Sequence, residues 1–185
     1  MKKPLSSDLL LYPCPVILVT SRFGQTENII TISWSGIASS HPEYITIAIK
    51  PNRFSHQLIR NSGEFGVNIP TKEFVDRVDF CGSNSGRDID KFSTCKFTKF
   101  YGDSIQVPLI EECPINLECQ VHHCIPLGGH DLFVARVLNK HIDESINMND
   151  LHCALDPLVY FRPNYYALDL KSLGCYGQTA PTDCR

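Results

Sequence analysis

The sequence predicts a mainly β fold, a barrel or sandwich built from about six short strands with two short helices near the front. Three observations carry this. β-branched apolar runs of five or so residues recur along the chain, each bounded by proline, glycine or small polar residues. Helical spacing of apolar residues occurs only twice, between residues 53 and 80. Many short strands separated by turn signals suggest a barrel or sandwich.

Val16 to Thr20 follows Pro13 and Pro15 and reads as the first strand. Ser21 to Asn28, with Gly24, is a turn, and Ile29 to Trp34 is a second strand. Gly36 to Pro42 is small and polar and reads as a loop before a third strand, Tyr44 to Ile49. The three spell a meander with antiparallel pairing. Asn52 is placed to cap a helix over Arg53 to Arg60, with Gly63 beyond its end. Glu64 to Ile69 is a strand, and Thr71 opens a second helix carrying Phe74, Val75 and Val78. Cys81 to Asp90 reads as a loop closing on Lys91 and Phe92. Ile115 to Ile125 and His130 to Ile142 form a long hairpin turned at Pro126 to Gly129. Leu158 to Phe161 is one more strand, and the tail after Gly174, with Cys175 and Cys184, reads as loose.

At 185 residues the chain fits one domain. Its net charge of -3 makes neither nucleic acid nor a membrane surface the expected partner. The first eleven residues lack the long apolar stretch of a signal peptide, and no run is long enough to span a bilayer. The expectation is a cytoplasmic protein whose nine cysteines are reduced. Cys119, His122, His123 and Cys124 invite a metal reading. On a strand, however, His122 and Cys124 share one face while Cys119 and His123 share the other, which is no compact ligand set. No metal site is expected there. Neither a Rossmann glycine fingerprint nor a phosphate loop is present, so a nucleotide-like cofactor needs another cradle.

Several stretches, in order, resemble one family: Pro15 to Ser21, Asn28 to Trp34, Ser39 to Pro42, Arg53-Phe54-Ser55-His56, Glu64 to Asn68, Ser85-Gly86-Arg87-Asp88-Ile89-Asp90-Lys91-Phe92, and Gly128 to Phe133. Together they resemble the flavin reductase-like family, and the Ser85 to Phe92 piece is most similar to its flavoredoxin subgroup. The resemblance implies an FMN-binding split barrel, an antiparallel Greek-key barrel of about six strands. It also implies a homodimer with the flavin at the subunit interface. NAD(P)H or a redox protein would be the electron donor. An NAD(P)H-dependent flavin oxidoreductase is the leading activity, and a non-catalytic FMN-binding electron carrier is the alternative.

The resemblance also suggests which residues serve the cofactor. Arg53 and Ser55, at a helix start where free N–H groups favour anions, suit the dianionic phosphate, with His56 as a further donor. Asn28, Thr31 and Ser33 suit the hydrogen-bonding edge of the ring. Trp34 either covers an aromatic surface or packs in the core. Ser85 and Gly86 let a backbone approach closely. Lys91 either stabilises the negative charge of reduced flavin or joins Asp88 and Asp90 in an exposed ion-pair network. His130 follows Gly129, where many members carry Gly-Asp-His. It is the candidate catalytic residue, with its orientation left open by the missing acid. Asn68 is a minor cofactor candidate.

Overall fold

The computed structural model describes residues 11–147 and 155–168. The tail expected after Gly174 lies outside the described residues. Cys14–Pro15 (β1) leads into a hairpin of Ile17–Phe23 (β2) and Thr26–Ile32 (β3). The hairpin turns at Gly24, whose φ of 61° lies in the left-handed region that glycine tolerates. Ser35–Ser40 (β4) and Glu43–Ile49 (β5) follow, then helix Phe54–Ser62 (α1) and Glu64–Ile69 (β6). A 3-10 turn at Lys72–Phe74 runs into Val75–Ser83 (α2), and Lys91–Thr94 (α3) is a single turn. Lys99–Phe100 (β7) and Leu109–Ile110 (β8) pair as a small ribbon. Ile115–Pro126 (β9) and Asp131–Ile142 (β10) form the long hairpin, and Leu158–Phe161 (β11) pairs with Asn164–Ala167 (β12).

Seven strands make one antiparallel sheet in the order β3-β2-β6-β9-β10-β5-β4. The meander expected for the first three strands is therefore replaced by a crossover. β5 pairs with β10, with Ile49 opposite Asp131, rather than with β3. The chain passes directly from β3 at one end of the sheet to β4 at the other, and at this junction Ala48 N–H donates to the Trp34 carbonyl at 2.9 Å, extending the β4–β5 ladder. The segment expected to be a loop, Gly36 to Pro42, is mostly strand: β4 hydrogen-bonds to β5 with a bulge at Ala38. Its residues are largely exposed. An edge strand of small polar residues carries no alternating apolar pattern, so the sequence signal was that of a loop.

The core follows from strand periodicity. Ile17 and Val19 point one way, with Ile30, Ile32, Ile47, Ile49, Phe65, Val67 and Phe133, and Ile59 of α1 packs against them. Val16, Leu18 and Ile29 point the other way, onto Val78 and Cys81 of α2 and onto Phe92 and Phe97. β2 is thus buried on both faces, which is why Val16 to Thr20 reads as an unbroken apolar run. Burying each such side chain contributes about 1.5–3 kcal/mol.

α1 ends as expected: Gly63 adopts φ 74° and its N–H reaches the Ile59 carbonyl at 2.8 Å. Its start differs. Arg53, not Asn52, is the N-cap residue, and no side chain caps it. α2 runs three residues into the expected loop, to Ser83. The Asp90 carboxylate then caps α3 by accepting from Ser93 N–H.

Candidate functional site

The end of β3, the start of α1 and the loop after α2 converge on one cleft. It consists of two adjoining hollows of about 160 and 180 Å3 that share Ile30 and Arg53. Together they reach the lower end of the ~300–1,000 Å3 range of small-molecule sites. Thr31, Ser33, Trp34, Lys50 and His130 line the first hollow. Asn28, Asn52, Ser85, Gly86, Arg87 and Lys91 line the second.

The charge of the wall is one-sided. Lys50, Arg53, Arg87 and Lys91 contribute, and among the described residues no carboxylate does, although the chain as a whole is acidic. Arg53 is held at the mouth of α1 by its backbone N–H, which donates to the Lys50 carbonyl at 3.0 Å. Among the described residues its guanidinium has no ion-pair partner. Arg87 lies across the cleft edge, donating to the Asn52 carbonyl at 3.3 Å and stacking over Phe54.

Lys91 is not part of an exposed ion-pair network. It is 3% exposed, and its ammonium donates to the carbonyls of Ile29 and Cys81, both at 2.7 Å. Burial holds its pKa below the usual lysine range, while the neighbouring thiols of Cys81 and Cys95 oppose the shift. Asn28 is also buried. Its Nδ2 donates to Ser55 Oγ at 2.9 Å, and its Oδ1 has no hydrogen-bond partner. Gly86 packs directly on that amide, so closely that a Cβ there would overlap Oδ1. The loop glycine thus allows an approach to Asn28. Leaving a buried acceptor unpaired costs about 1–3 kcal/mol, so Oδ1 is an acceptor available to a ligand hydroxyl or N–H.

Trp34 is 43% exposed rather than packed in the core, and it stands over His130 with ring centroids 4.5 Å apart. Burial, and then the charge of Lys50, push the His130 pKa below the ordinary histidine value, which favours the neutral ring. Thr31 lines the cleft, but its hydroxyl donates to the Val78 carbonyl of α2.

Three expected site residues stand off the wall. Ser55 is fully buried and accepts from Asn28 and Ser21. His56 is buried against Asp131, with Nε2 2.8 Å from Oδ2. Asn68 lies on β6, donating to Leu18 O and Thr20 Oγ1 and accepting from Ile110 N–H and Asn116. Ser55 acts from behind by fixing the Asn28 amide. Lys50, Asn52 and Arg87 were not assigned from the sequence. Arg87 sits inside the recognised Ser85 to Phe92 stretch, and Lys50 and Asn52 flank the recognised Arg53, so adjacency was the available signal. The Cys119 to Cys124 group is split: Cys119 is fully buried in the core, while His122 and His123 stack on the outside. A bulge leaves His122 without a partner in the register and breaks the expected facing.

The flavin reductase like domain family matches residues 9–169, most of the chain. The chain belongs to the flavin reductase-like family. A protein of Archaeoglobus fulgidus is 35% identical over 129 residues, covering 70% of this chain and 72% of that one. An NADH-dependent FMN reductase of Streptomyces nodosus subsp. asukaensis is 27% identical over 158 residues, covering 85% and 80%. Among solved structures, flavoredoxin from Methanosarcina acetivorans superposes with a TM-score of 0.89 at 25% identity, covering 97% of this chain and 98% of that one. The flavin reductase-like fold is accordingly the flavin-binding split barrel, mainly β with few helices. No helix among the described residues is long and apolar enough to cross a membrane.

Proposed function

We propose that the cleft holds FMN and that the chain is an FMN-dependent oxidoreductase passing electrons from NAD(P)H to an acceptor. One observation carries this reading: among the described residues, four cations and no carboxylate line a cleft in an acidic chain. Such a wall suits a dianionic phosphate ester, and the unpaired Asn28 Oδ1 suits a hydroxyl or imide N–H beside it.

Arg53 and Lys50 supply the uncompensated charge for the phosphate, and Arg87 closes the edge. Lys91, already fixed by two carbonyls, keeps a positive potential over the cleft and favours a negatively charged, reduced ligand. Bound FMN supplies two-electron redox chemistry, and the protein orients and tunes it. The neutral His130 ring, steadied by Trp34, borders the open side, where a nicotinamide would approach. We further propose a cytoplasmic homodimer with the cofactor at its interface. The edge strand β4 beside the cleft exposes Ile37 at 87%, an apolar side chain suited to contact with a second copy.

The likeness to flavoredoxin supports a second reading, an FMN-holding electron carrier reduced by a partner protein. Anaerobic stopped-flow mixing of holoprotein with NADH or NADPH separates the two. Bleaching of the flavin absorbance within the turnover time supports the oxidoreductase. Reduction by dithionite but by neither nucleotide supports the carrier.

A further inference from the structure

We propose that His56, Cys124 and Asp131 form a binding site for one zinc-class divalent cation, separate from the cleft. The Nε2, Sγ and carboxylate oxygen of these residues all lie within 4.8 Å of one another. His56 Nε2 is 2.8 Å from Asp131 Oδ2, and Cys124 Sγ is 3.9 Å from the same oxygen. The three come from α1, the end of β9 and the first residue of β10, brought together by the β9–β10 hairpin folding over the helix.

The set has the chemistry of a three-ligand site. Bonds of ~2.0–2.3 Å at tetrahedral angles place ligand atoms roughly 3.3–3.6 Å apart. The His–Asp separation must therefore open by about half an ångström, and the wider ones close by up to about one. A mixed nitrogen, oxygen and thiolate set selects zinc-like ions over magnesium or calcium. His56 and Asp131 are buried while Cys124 is exposed, so the fourth position faces solvent, ready for water. Among the described residues, the other charged group facing the carboxylate is Arg60, 3.9 Å away, and its largely exposed side chain is free to swing aside. On binding, the proton shared by His56 Nε2 and Asp131 Oδ2 leaves to solvent or passes to Nδ1 of the ring, which frees Nε2 and the carboxylate for the metal; the metal–sulfur bond forms as the Cys124 thiol proton leaves to solvent.

None of the three residues lines the cleft, so the proposal stands or falls independently of the flavin. Its neighbours do: Asp131 follows His130, and His56 is one helical turn beyond Arg53.

The test is titration of purified full-length protein with Co2+, read by absorbance, followed by displacement with Zn2+. One equivalent should produce a thiolate-to-cobalt charge-transfer band that zinc abolishes. Cys124→Ser, at an exposed position that folding tolerates, should lose the band and bind at least about tenfold more weakly, as should His56→Ala and Asp131→Asn. The double variant His122→Ala/His123→Ala should bind as the parent does. Absence of saturable binding by the parent overturns the site. So does unchanged affinity in Cys124→Ser, or loss of binding in the His122/His123 variant.

Discussion

Lys91 is tied to Ile29: its ammonium, buried behind the cleft, donates to that residue's carbonyl at 2.7 Å and so joins the third helix to the third strand. The same ammonium reaches Cys81 of α2. Lys91→Met removes both charge-assisted bonds and keeps the stem. It should lower stability by about 1.5–3 kcal/mol in urea unfolding, and in the holoprotein it should make the flavin harder to reduce. A redox titration giving an unchanged potential would show that Lys91 serves the fold alone.

Gly86 is needed where it is because nothing larger fits against Asn28. Gly86→Ala must push the loop or the amide away, at a cost of about 1–3 kcal/mol. Flavin affinity should fall with it, while Gly24→Ala, at a turn remote from the cleft, should leave affinity unchanged. Comparing the two variants in the same flavin titration checks this.

His130 and Lys50 are electrostatically coupled across the first hollow. Lys50→Met removes the repulsion and should raise the His130 pKa towards the ordinary ~6.5, though burial still holds it lower. An NMR titration of the imidazole signals reads the shift directly. A fall, or no change, would contradict the proximity of the two charges.

Glu118 provides a pH handle on stability. It is fully buried on β9 and accepts from Ser104 N–H at 2.7 Å, Ile105 N–H at 2.9 Å and His141 Nε2 at 2.8 Å. Burial alone raises its pKa, but these partners together override it and hold the carboxyl below its ordinary 4.5. Between the folded value and 4.5 the unfolded chain binds more protons, so stability rises with pH there. The contribution is complete above that window and is lost as pH falls through the folded value. Glu118→Gln should therefore cost about 1.5–3 kcal/mol near neutrality and less in acid. Urea midpoints for both proteins at several pH values test it.

The parts of the fold legible in the sequence were those with a strong local signal. Glu64 to Ile69 and Leu158 to Phe161 match their strands residue for residue, and Gly63 ends α1 as its position suggests. Long-range choices were not legible. Nothing local tells Tyr44 to Ile49 to pair with a strand more than eighty residues later, and the polar edge strand β4 has no apolar face to announce it. The site was legible as segments rather than as side chains. Arg53, Trp34 and His130 reach the cleft, whereas Ser55, His56 and Asn68, on recognised segments, point elsewhere, because successive positions on a strand face opposite sides and those on a helix fan around its axis. His56 and Asp131 meet only through the tertiary fold, so their cluster with Cys124 left no spacing to read.

Arg53 carries the central claim, that the cationic cleft holds the phosphate of a flavin. The most direct measurement is a fluorescence-quenching titration of FMN and of riboflavin, which lacks the phosphate, against the parent and Arg53→Ala. The parent should bind FMN at one per chain and far more tightly than riboflavin. Arg53→Ala should lose about 1.5–3 kcal/mol towards FMN and little towards riboflavin. Equal affinity of the parent for both flavins, or an Arg53→Ala variant that binds FMN as the parent does, would contradict the account.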